Sequence, residues 1–123
     1  MVLKFINEQM SAIDIPYEFG EWTSEIKHPY FVGEITENEP ITEDGKEEYS
    51  LILTGFNRGK YLELEEAKEK IKKHFNPIFG LRAATEEGET ITAFYTGAFS
   101  IPSGEADLTK IQINLKILLW KEV

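Results

Sequence analysis

Apolar residues at Leu3, Ile6, Met10 and Ile13 recur at steps of three and four, which predicts a helix with one buried face. Pro16 prevents that helix from running much further. Residues 17–22 (YEFGEW) are aromatic and short, the pattern of an edge strand or a strand-like connection. His28-Pro29 then breaks the chain before a strand at 30–35 (YFVGEI). Residues 49–56 (YSLILTGF) are apolar at both parities, as expected of a central strand covered on each side. The clearest helix spans 61–75, where Leu64, Ala67, Ile71 and Phe75 form one stripe. Glu63, Glu65 and Glu66 near its start and Lys72, Lys73 and His74 near its end suit the helix dipole. Glu66–Lys70 and Glu69–Lys73 have the spacing of favourable ion pairs, and Asn76-Pro77 ends the helix. Three extended segments follow, at 81–85, 90–99 and 109–120. Gly97 marks a bulge or a close backbone approach in the second. In the third, Ile111, Ile113, Leu115, Ile117 and Leu119 keep a period of two, alternating with Lys110, Gln112, Asn114 and Lys116. This order predicts a single α+β domain over 1–123, with two helices packed on a mostly antiparallel sheet.

Charge changes the picture at 34–48, EITENEPITEDGKEE, which holds seven carboxylates and one lysine between two strands. Strands in a compact domain are usually joined by about two to five residues, so this segment is longer than the fold requires. It reads as a solvated loop, or as an acidic hairpin over 36–48 that projects beyond the sheet and meets another molecule. Asp44-Gly45 would form the turn at its tip. Glu37, Glu39, Glu43 and Asp44 are its candidate contact residues, and Ile41 is the apolar residue able to anchor it.

The whole chain has 22 acidic and 13 basic residues, a formal charge of −9. Tight binding to a phosphate backbone depends on Lys and Arg, so a nucleic-acid-binding role is disfavoured. Cysteine is absent, which excludes disulfides and thiol chemistry and fits a reducing compartment. The N-terminus lacks the pattern of a signal peptide, and no run approaches the roughly 20 apolar residues of a membrane span. A soluble protein used inside a cell, without a membrane partner, is expected.

No catalytic or cofactor motif is present. His28 and His74 belong to no ligand spacing, the glycines match neither a phosphate loop nor a dinucleotide fingerprint, and the carboxylates lie mostly in solvated stretches. The expectation is a non-enzyme with no metal and no cofactor. His74 is placed to interact with the helix dipole. Gly55 to Gly59 (GFNRG) reads as a turn with glycines at positive φ, from which Arg58 could reach a carboxylate of a neighbouring subunit. Trp22 and Trp120 read as core or sheet-face packing.

The order of elements, with IPYEFGEW, PYFVGE, ILTGFNRG and the ADLT segment before the last strand, resembles the tail terminator and tail-completion proteins of long-tailed bacteriophages and prophages. The likeness covers nearly the whole chain. It implies a subunit that assembles as a hexameric ring on the tail tube and forms part of the head-tail joining surface. Its partners would be the tube protein and a head-completion protein. DNA would pass through the ring without specific binding, which suits an acidic chain. The implied location is the host cytoplasm during assembly and then the virion tail. The alternatives are a monomeric acidic protein-binding module, with charge imitating nucleic acid, and an enzyme with an unrecognised carboxylate site.

Overall fold

The alternating residues of 109–120 find their partners in the computed structural model of the chain, which describes residues 2–38, 46–84 and 88–121. The elements are α1 (Val2–Ala12), β1 (Tyr17–Phe19), β2 (Tyr30–Glu37), β3 (Lys46–Arg58), α2 (Tyr61–His74), β4 (Leu81–Ala84), β5 (Glu89–Ile101) and β6 (Leu108–Lys121). They build one six-stranded sheet in the order β1-β2-β3-β6-β5-β4. Its centre is the antiparallel pair β3 and β6, aligned from Lys46↔Trp120 to Arg58↔Leu108. β2, β5 and β4 add antiparallel neighbours, whereas β1 pairs parallel to β2. The fold is α+β with a mixed sheet, because the 20–29 connection carries the chain back to the start of β1 before β2 begins.

Both helices pack on the same face. Ile111, Ile113, Leu115 and Ile117 are fully or almost fully buried there, with Leu51 and Leu53 of β3 and Ile91 and Ala93 of β5. Phe5, Ile6 and Met10 of α1 and Leu64, Ala67 and Ile71 of α2 close the same cluster. Each large apolar side chain so buried contributes about 1.5–3 kcal/mol. Phe75, the last member of the predicted stripe, follows α2 and stays fully buried, its N–H donating to the Ile71 carbonyl.

β3 departs from its expected environment. Leu51, Leu53, Gly55 and Asn57 are buried under the helices, but Ile52, Thr54 and Phe56 are half-buried on a face that carries no helix. Their apolar character serves packing within that open face. Gly55 also has a different role from the expected turn glycine. A Cβ at this position would stand 2.4 Å from the Phe31 ring, so the glycine lets that ring lie across the strand. Gly59, at φ +99°, does turn the chain into α2. Buried Asn57 closes the same turn by donating from Nδ2 to the Lys60 carbonyl at 2.9 Å. Gly97 marks a bulge, as expected: the register slips between Tyr95 and Gly97.

On α2, Lys68 pairs with Glu65 and Glu69, in place of the predicted Glu66–Lys70 and Glu69–Lys73 pairs. His74 does not act as a cation on the helix end. Its Nε2 lies 2.8 Å from Gln9 Oε1 of α1, and burial pushes its pKa below the ordinary histidine value. Nε2–H donating to Gln9 Oε1 ties the two helices together.

Two predictions follow from this packing. Replacing Ile113 by Asp should abolish cooperative thermal unfolding, since an unpaired buried carboxylate costs several kcal/mol against a total of roughly 5–15. A variant melting like the parent would mean that the strand faces the other way. For His74, the depressed folded pKa means that its contribution is complete above about 6.5 and is lost as pH falls through the lower folded value. Denaturant midpoints should therefore fall more between pH 7.5 and 5.5 for the parent than for His74→Gln, with those pH values taken as roughly bracketing the unperturbed histidine pKa.

Candidate functional site

With both helices on one face, the other face of the sheet carries rows of side chains set by strand register. Tyr30, Phe56 and Lys110 stand side by side across β2, β3 and β6; Val32, Thr54 and Gln112 form the next row, and Glu34, Ile52 and Asn114 the one after. The first row is an aromatic stack. Tyr30 and Phe56 lie 5.1 Å apart at 20°, and the Lys110 ammonium sits 5.4 Å from the Phe56 ring centre. Trp22, from the β1–β2 connection, packs on Tyr30 at 4.9 Å. Its indole N–H is buried with no hydrogen-bond partner among the described residues.

The connection carrying Trp22 is fastened by one carboxylate. Glu18 accepts from the Thr23 hydroxyl at 2.7 Å and from the Thr23 and Ser24 backbone N–H groups at 3.3 and 3.2 Å. The Thr23 hydrogen bond leads in holding the Glu18 carboxyl below the ordinary range. Beneath this connection Trp22, Tyr30, Val32, Thr54, Phe56 and Lys110 line a recess of about 360 Å³, with Glu21 and Glu34 also bordering it. Trp22 is therefore a packing residue, as expected, but it also shapes a concave surface. Trp120 lies on the same face under the Lys46 ammonium, 5.8 Å from its ring centre.

Both edges of the sheet are incomplete. β1 aligns with 31–33 only, so 34–37 of β2 have no strand beside them on that side among the described residues. β4 aligns with 90–93, so among the described residues 97–101 of β5 have none on theirs. Unpaired strand edges are templates for another chain.

The predicted contact residues are placed unevenly. Glu39, Ile41, Glu43 and Asp44 lie outside the described residues. Glu37 is exposed at the end of β2, in register with Tyr49. The flanks of the expected arm belong to the sheet: Thr36 aligns with Ser50, and Lys46 to Glu48 align with Trp120 to Leu118. Asn38 extends the pairing, its N–H donating to the Glu48 carbonyl at 2.8 Å and its Nδ2 to Glu48 Oε2 at 3.0 Å. Strand pairing thus takes in 36–38 and 46–48 at the two ends of the segment that the sequence set apart. Arg58, half-exposed at the end of β3, binds its own chain, with Nη1 2.9 Å from Asp107 and 3.5 Å from Glu105. Among the described residues no group of three or more His, Asp or Glu side chains is placed to hold a metal, and no helix is long and apolar enough to cross a membrane.

An exposed ion pair is weakly stabilising because water screens it. Arg58→Ala should lower stability by at most about 1 kcal/mol in denaturant unfolding. A larger loss would mean that Arg58 fixes the β5–β6 connection to the sheet.

No protein-family model and no curated protein matches the chain, so its function has to be inferred from its own residues and geometry.

Proposed function

We propose that this chain is a structural virion assembly protein of phage or prophage origin. In this reading it is a tail terminator that caps the tail tube as a hexameric ring, without catalysis, metal or cofactor. The observation that carries the reading is the pair of incomplete sheet edges on opposite sides of the domain, at 34–37 of β2 and 97–101 of β5. Unlike surfaces on opposite sides allow head-to-tail contact between copies, and a head-to-tail contact whose rotation closes makes a ring. The resemblance in element order and the formal charge of −9 support the same reading, since an acidic ring lets DNA through its opening without gripping it. The tube protein and a head-completion protein are the partners, and assembly takes place in the host cytoplasm before the ring enters the virion tail.

Purified protein mixed with assembled tail tubes tests this by electron microscopy. Rings at one tube end and arrested tube growth are the expected outcome. Replacing 39–45 by a two-residue turn keeps the flanking strand pairs and should leave the melting temperature unchanged while reducing capping. If capping by the shortened protein equals that of the parent, the segment is solvated filler. A protein that ignores tubes but captures basic proteins as a monomer is the acidic binding module instead.

A further inference from the structure

Ile78 and Phe79 are 76 % and 80 % exposed, the two highest values among the exposed large apolar side chains of the described residues. They sit in the short connection from α2 to β4, and they are held there firmly. Asn76 Oδ1 accepts from the Ile78 and Phe79 backbone N–H groups at 2.8 and 2.9 Å, and the Gly80 N–H donates to the Asn76 carbonyl at 2.8 Å. Pro77 fixes φ within the same turn. Two adjacent apolar side chains, fully hydrated and pre-ordered, form a knob that loses little entropy on docking.

The molecule also carries a matching recess. The space under the β1–β2 connection is lined by the Trp22, Tyr30 and Phe56 rings and Val32 together with Thr54 and Lys110, and its volume is about 360 Å³. It is a surface groove rather than an enclosed cavity, and an aromatic side chain can lie in it against the Trp22, Tyr30 and Phe56 rings. Knob and recess lie toward opposite edges of the sheet, one leading into β4 and the other beneath the β1–β2 connection. The knob stands nearer the Glu34 end of the recess than its Tyr30 end. Gly80 adjoins Phe94, whose row runs through Lys116 and Ser50 to Thr36, one row from Glu34 and three from the Tyr30–Phe56 row of the recess.

Charge is complementary as well. Residues 70–82 contain Lys70, Lys72, Lys73 and Arg82 and no carboxylate, in a chain with 22 acidic residues. Residues 18–37, which supply the connection and β2, hold five glutamates against Lys27, with Lys110 the one cation lining the recess itself. All four cations are exposed, as are Glu21 and Glu34 beside the recess. A basic knob and an acidic-rimmed aromatic recess attract each other and repel their own kind.

We infer that the Ile78–Phe79 knob of one copy docks into the Trp22–Tyr30–Phe56 recess of the next, as the head-to-tail contact between copies of this chain. The inference rests on the ring reading for its biological setting, but the contact can be tested apart from tubes. Because the contact is heterologous, each copy offers one knob and one recess, and a copy damaged in either can still engage through the other.

Sedimentation at the highest soluble concentration, with three preparations, tests it. Phe79→Glu alters an exposed side chain and should leave the fold intact, checked by its melting temperature. It should weaken self-association about thirtyfold, the loss typical of a buried aromatic anchor. Glu21→Lys with Glu34→Lys should weaken it too. Mixing the two variants should restore one contact and give dimers but nothing larger. As an independent readout, the parent chain has no cysteine, so Phe79→Cys and Val32→Cys copies should form a disulfide-linked heterodimer on mild oxidation, whereas Phe79→Cys with Ile26→Cys should not. A parent that remains monomeric and a 79–32 pair that does not cross-link would overturn the proposal. Higher oligomers that survive Phe79→Glu would overturn it too, yet leave the ring reading standing. A dimer from the mixed variants together with failure to bind tubes would support the contact and remove the ring-on-tube reading.

Discussion

All 13 residues of β3 are aligned with β6, and this antiparallel pairing is the constraint on which the rest of the structure depends. It fixes which parity of each strand faces the helices. Leu51 and Leu53 fall beside Leu115 and Ile113, giving α1 and α2 a continuous apolar floor. A slip of one residue would turn Ile113 and Leu115 away from the core and bring Gln112 and Asn114 in, so register and core composition enforce each other. β2 and β5 then inherit their parity from this pair. Phe31 is drawn across Gly55, and Ala93 is set opposite Ile117.

Placing both helices on one face has a consequence for the other. Its side chains must stabilise the sheet through one another, which accounts for the Tyr30–Phe56–Lys110 row and for Thr92 and Leu118 being buried there without a helix above them. Cross-strand contacts of this kind contribute roughly 0.2–1 kcal/mol each, enough to order the face but not to close it. The same economy of elements leaves β1 and β4 too short to cover their neighbours. Among the described residues the domain has its core satisfied, with one face covered by helices, one face without them and two partly unpaired edges.

Periodicity determined much of the fold. The strict alternation of 110–117, the stripe of Leu64, Ala67 and Ile71, and the charge order along α2 each follow from the spacing of side chains on a strand or a helix, a property of the local chain. Glycine and proline punctuated the elements at Pro16, Gly59 and Asn76-Pro77, and Gly97 announced its bulge. The limits of local reasoning appear at 36–48. Its carboxylates looked like one excursion, yet Lys46 to Glu48 pair with β6, because polar residues are tolerated at the end of a strand whose partner supplies the backbone hydrogen bonds.

What the tertiary structure decided is everything that depends on residues distant in sequence coming together. Gly55 carries no sign in its neighbours that Phe31 will cross it. His74 looks like a helix-end cation until Gln9 of α1 arrives and burial favours the neutral ring. Arg58 looks free until the β5–β6 connection brings Asp107 and Glu105 to it. The recess is the clearest case, since Trp22, Tyr30, Phe56 and Lys110 come from four separate stretches that only strand pairing sets side by side. The sequence by itself determined two helices, an antiparallel core strand, an acidic composition and the stop at Asn76-Pro77. Which face stayed without helices, and which side chains stand together on it, were decided by register and by the side to which the helices packed, because those are long-range contacts.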